Sequence, residues 1–144
     1  MESHMTILPG KKEHARYLVD LLEQLGHPLN ETQVSKKLEQ FAAPGYRVLV
    51  CDVGRKVVGF ISLHWFDKFH SIGKTGRITA LCVHESVRDM GIGGLLLAAS
   101  EQLLKDENCR EIEVTSNMRR SLTPDFYRKH GYEEHSRHFI KSLL

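Results

Sequence analysis

The chain has 144 residues, with 20 Lys and Arg against 18 Asp and Glu, a formal net charge of +2. That length suits one domain with a core large enough to stand without metal or disulfide staples. Balanced charge argues against nucleic acid as a partner, and no apolar run approaches the roughly 20 residues that cross a bilayer, so no membrane association is expected. Met1 to His4 read as an expression-tag remnant, which leaves a single domain over residues 5–144. The three cysteines, Cys51, Cys82 and Cys109, are far apart and fit free thiols in a reducing cytoplasm.

In chain order, Thr6 to Leu8 is expected as a first strand, ended by Pro9-Gly10. Lys12 to Leu25 carries Ala15, Leu18, Leu22 and Leu25 at helical spacing and stops at Gly26. Asn30 with Gln33 is a capping pair for a second helix, whose apolar face is Val34, Leu38 and Phe41. Tyr46 to Cys51 and Lys56 to Trp65 are rich in strand formers and flank the turn Asp52 to Arg55, which makes them a hairpin. Phe66 to Gly73 is expected as an aromatic loop, and Arg77 to Val83 as another strand.

A glycine-bearing turn leads into a helix over Gly94 to Asn108, with Leu96, Ala99, Leu103 and Leu104 on its apolar stripe. A short strand, Glu111 to Thr115, follows. Thr123-Pro124 opens a short helix that Gly131 ends, and Tyr132 to Lys141 is expected as the last strand. The order is β-α-α-β-β-β-α-β-α-β. A helical crossover makes the strands on either side of it parallel neighbours. The fold class is therefore mixed α/β (α+β), with a largely antiparallel sheet and helices on both faces.

The chemistry concentrates in Val83 to Gly94, VHESVRDMGIGG, which joins a strand end to a helix start. Gly91 and Gly93 allow close backbone approach, the helix start offers unpaired N–H groups and a positive dipole end, and Arg88 adds a cation. Together they suit a phosphate or pyrophosphate. The dinucleotide pattern G-x-G-x-x-G fails, because Leu96 stands where its third small residue belongs, and no P-loop Gly-Lys-Ser/Thr is present. A glycine-rich turn without a ligand is the plain alternative. Metal is not expected: His135 and His138 would point to opposite faces of a strand.

Arg88-Asp89-Met90-Gly91-Ile92-Gly93, placed between strand and helix, resembles the acyl-CoA signature [Arg/Gln]-x-x-Gly-x-[Gly/Ala] of the GNAT N-acetyltransferase superfamily. Phe126-Tyr127 through Gly131-Tyr132 resembles that family's F-Y-x-x-x-G-[F/Y] segment, and the element order is similar from Met5 to Leu144. The resemblance implies an acetyl-CoA-dependent N-acetyltransferase working by direct attack of an amine in a ternary complex. It implies that backbone amides from Arg88 to Gly94 hold the pyrophosphate of acetyl-CoA. The backbone of Leu81, Cys82 and Val83 would hold the pantetheine arm, with the Val83 N–H facing the oxyanion. Asn117 either contacts the cofactor arm or bonds the turn backbone. Arg119-Arg120 either meets the 3′-phosphate of CoA or solvates its loop.

Tyr127 matches the family's general acid and can also be read as a core aromatic beside Phe126. The strand before the signature turn holds no carboxylate, unlike many relatives, so the base is open. His64 and His70 are candidates, as is water held by Thr79 or backbone carbonyls. The acceptor pocket is expected under Gly26 to Leu29, the second helix and the aromatics Trp65, Phe66 and Phe69, with an aminoglycoside, polyamine, amino acid or protein amine as acceptor. Family members often form homodimers, which the aromatics permit. A non-catalytic acyl-CoA-binding or regulatory module on the same fold is the second reading.

Overall fold

A computed structural model describes residues 4–115, 124–135 and 138–144. One five-stranded sheet runs β1 (Met5–Pro9), β2 (Tyr46–Val53), β3 (Lys56–Asp67), β4 (Lys74–Val83) and β5 (Cys109–Val114), in that spatial order. The first three pairings are antiparallel. The fourth, β4 with β5, is parallel, as the intervening helix requires.

Helices α1 (Ala15–Leu25) and α2 (Glu31–Gln40) cover one face of the sheet. Leu18, Leu21, Leu25, Val34 and Leu38 pack there on Val50, Val57, Phe60 and Cys82. Helices α3 (Ile92–Asp106) and α4 (Pro124–Lys129) cover the other. Ile92, Leu96, Leu97, Leu104 and Tyr127 pack there against Ile61, Leu63, Ile78, Leu81 and Val83. Each buried Leu or Ile contributes about 1.5–3 kcal/mol. Gly76 lets β4 approach α3, since a Cβ there would stand 2.5 Å from Leu104 Cδ1. The capping pair of α2 is reciprocal: Gln33 N–H donates to Asn30 Oδ1 at 2.8 Å, and Asn30 N–H to Gln33 Oε1 at 2.9 Å.

Two sequence expectations differ from the structure. The strand expected over Tyr132 to Lys141 is absent among the described residues, 132–135 and 138–144, which lie outside any helix or strand. Tyr132 packs on the core, but Glu133, Glu134 and His135 are exposed and supply no buried face for a strand to gain. In addition, β3 runs on through Phe66 to Asp67, so the aromatics there are strand residues with alternating directions. Trp65 packs on the α3 side, and Phe66 faces the other way, stacked on His64 at 5.2 Å.

Candidate active site

The parallel pairing of β4 with β5 stops at Ile78↔Val114, while β4 continues beside β3 to Val83. β5 ends at Val114, so past Ile78 the pairing with β5 gives way to an edge of β4 with no paired strand among the described residues. His84 N–H donates to Val58 O at 2.7 Å, which sets the alternation of the antiparallel ladder. Cys82 therefore directs its N–H and C=O toward β3, and Leu81 and Val83 direct theirs to the opposite edge, the β5 side. Among the described residues no strand occupies that side of Leu81 to Val83.

The turn after β4 leads directly into a helix start. Gly91 caps α3 with φ +79°, a left-handed conformation that favours glycine, and a Cβ there would meet nothing within 4 Å. Among the described residues no side chain caps α3, so the first helical amides, from Ile92 to Gly94, have no side-chain acceptor there. Arg88 folds back so that its Nε donates to Val83 O at 3.2 Å. Asp89 also sits at positive φ and Met90 is exposed, whereas Ile92 and Gly93 are buried. Gly94 faces His130 of the turn after α4, 3.4 Å from where its Cβ would be. Asn117, Arg119 and Arg120 lie outside the described residues.

Tyr127 is 6% exposed, in the same cluster as Val83, Ile92 and Leu96. Burial pushes its phenol up to about 12. Phe126 is the less buried neighbour, edge-on to Tyr127 at 5.2 Å and to His130 at 4.5 Å. The Cys82 thiol is buried, donates to Leu21 O at 3.4 Å, and is pushed up to about 11, mainly by burial. It is therefore not a nucleophile at neutral pH.

On the α1/α2 face, Ser62 pairs with Ala80 and Leu63 with Ile78, so Thr79 is an extra residue that β3 does not pair. This bulge turns the Thr79 hydroxyl to Ser62 Oγ, 2.7 Å away. His64 lies two residues along β3 from Ser62 and faces the same way. Its ring stacks between Tyr46 and Phe66, and Arg77 lies over Phe66 while pairing with Glu113. Burial, then Arg77, lowers the His64 pKa, which favours the neutral ring.

Beside these hydroxyls a pocket of about 170 Å³ opens between α1, α2 and the sheet, lined by Leu22, Leu29, Val34, Phe41, Phe60 and Ala80, with Lys37 and Ser62. Of the segments expected to wall an acceptor pocket, Leu29 and α2 line this one, and Gly26, His27 and Pro28 do not. Trp65, Phe66 and Phe69 do not, and Phe69 is fully exposed. Sequence reasoning missed a clamp from α1: His84 Nε2 meets Asp20 Oδ2 at 3.1 Å, and Glu85 N–H donates to Gln24 Oε1 at 3.0 Å. These partners are more than 60 residues apart in the chain, and no local pattern announces them.

Residues 44–134 match the acetyltransferase (GNAT) domain family. The chain belongs to the GNAT acetyltransferase family. It is 33% identical over 88 residues to an aminoalkylphosphonate N-acetyltransferase of Salmonella typhimurium, covering 61% of this chain and 57% of that protein. The chain thus spans little more than half the length of the curated relatives it matches. A GNAT family acetyltransferase of Staphylococcus aureus shares the fold at a TM-score of 0.83 and 26% identity, covering 96% of this chain and 98% of that one. An aminoglycoside N-acetyltransferase solved in complex with CoA superposes at a TM-score of 0.84 and 19% identity, covering 100% of this chain and 98% of that one. Among the described residues, no helix is long and apolar enough to cross a membrane, and no cluster of side chains suits a metal ion.

Proposed function

We propose that the protein transfers an acetyl group from acetyl-CoA to a primary amine by direct attack in a ternary complex. The observation that supports this reading is that, among the described residues, the β4–β5 pairing ends at Ile78↔Val114 while β4 runs on to Val83 and, through a glycine turn, to a helix start with no side-chain cap. The amides of the turn and of Ile92 to Gly94 bind the pyrophosphate, where a helix start favours anions. Leu81 binds the pantetheine arm through its outward N–H and C=O, whereas the Cys82 backbone is turned to β3 and the Val83 C=O is taken by Arg88, which leaves the Val83 N–H for the thioester. The family's name and the two signature segments agree with acetyl-CoA as the donor.

The amine must first shed a proton, which passes through water ordered by Ser62 and Thr79 to neutral His64. The nitrogen then attacks the thioester carbon, and the Val83 N–H stabilises the oxyanion. A C–N bond forms, the C–S bond breaks, and the departing sulfur takes the Tyr127 proton; the nitrogen sheds its second proton as it becomes the amide, and that proton returns through solvent to the Tyr127 phenolate. A phenol near 12 donating to a thiolate with a parent pKa of roughly 8.5 is uphill by about 5 kcal/mol, so donation accompanies C–S cleavage.

A non-catalytic acyl-CoA-binding module is favoured by one observation: β4 offers no carboxylate from Arg77 to Val83. One assay separates the two. Incubation with acetyl-CoA and a panel of amines, followed by free thiol, yields amine-dependent thiol release on the catalytic reading. Acetyl-CoA binding with no amine-dependent thiol release overturns it in favour of the binding module.

A further inference from the structure

Resting on that reading, we infer that the acceptor is a small primary amine bearing an aliphatic group and an acidic group, as in an apolar amino acid. The pocket between α1 and α2 opens beside Ala80 and Ser62, where the amine must arrive. Its volume of about 170 Å³ suits a compact apolar group, since a cavity of roughly 150 Å³ accepts benzene. Among the described residues its lining holds no carboxylate, and Lys37 is the one charge. A polyamine or aminoglycoside would bring several cations to an apolar wall and a lysine, with no acid to receive them. The neighbouring aromatic row gives such cations no better reception, because Arg77 already lies over Phe66. An acceptor with one amine, one aliphatic group and one acid satisfies all three features: the amine at Ser62 and Thr79, the aliphatic group among Leu22, Leu29 and Phe60, the acid at Lys37. Full burial of a branched aliphatic side chain is worth about tenfold to a hundredfold in affinity.

The test uses the whole chain, acetyl-CoA and three acceptors: leucine, its decarboxylated analogue isopentylamine, and spermidine, with thiol release as the readout. Leucine is expected to give the highest kcat/KM, isopentylamine about tenfold less, and spermidine no more than the amine-free rate. Leu29→Trp, on a half-buried loop residue, fills the pocket and is expected to raise the leucine KM more than tenfold while the acetyl-CoA-induced rise in melting temperature stays. Lys37→Glu is expected to reverse the order of leucine and isopentylamine. Spermidine as the best acceptor, or a leucine KM indifferent to both variants, overturns this inference and leaves the acetyltransferase reading intact. Absence of any melting-temperature rise with acetyl-CoA overturns both.

Discussion

Thr79 Oγ1 lies 2.7 Å from Ser62 Oγ, and Thr79 is the bulged residue of β4 that β3 leaves unpaired. Because the bulge sits one residue past the last β4–β5 pair, these hydroxyls mark where that pairing ends. If they order the water that carries the amine proton, Thr79→Val lowers kcat about tenfold at neutral pH. Lost stability should stay near 1 kcal/mol, since the hydrogen bond is exposed. Steady-state rates and melting curves on the same preparation check both.

His64 predicts the acid limb of the pH–rate profile. Its pKa is lowered by burial and then by Arg77, so kcat/KM should rise with pH through a midpoint below 6.5. Arg77→Met removes a cation and leaves Glu113, which pulls the other way, so the midpoint moves up. His64→Gln should flatten the limb. A midpoint indifferent to both changes would remove His64 from the base role.

Tyr127→Phe should lower kcat by about 10²–10⁴ while leaving the acetyl-CoA-induced rise in melting temperature unchanged. It also carries a stability signature. The phenol rises from about 10 unfolded to about 12 folded, so the folded state holds its proton more tightly. That stability is complete below pH 10 and is lost as pH climbs from 10 to 12, about 3 kcal/mol in all. Alkaline denaturation of Tyr127→Phe should therefore lose about that much less over the same window.

Much of the fold is legible in the sequence because its signals are local. The Asn30–Gln33 cap, the hairpin around Gly54 and the glycine turn before α3 each depend on neighbours within a few residues. The parity of β3 was also there to be read: Ile61, Leu63 and Trp65 share one face, which leaves Phe60, Ser62, His64 and Phe66 on the other. Taking Phe66 as a loop residue hid that alternation and set Trp65 and Phe66 along one wall. The Thr79 bulge and the Asp20–His84 clamp are properties of pairing between distant segments, which periodicity does not encode. Tyr132 to Lys141 misled because Phe139 and Ile140 resemble a strand, although both are more than 80% exposed.

Gly91→Glu isolates the central claim most directly. Positive φ makes any side chain cost about 1–2 kcal/mol there, and Gly91→Ala serves as the control for that strain. The measurement is the melting temperature of wild type, Gly91→Ala and Gly91→Glu with and without acetyl-CoA. At a hundred times its dissociation constant, acetyl-CoA should stabilise wild type by about 2.7 kcal/mol. The alanine variant should keep most of that gain and the glutamate variant should lose it, because its carboxylate meets the pyrophosphate at the helix start. Equal stabilisation of the glutamate variant would contradict the placement of the cofactor, and no stabilisation of wild type would contradict the proposed activity itself.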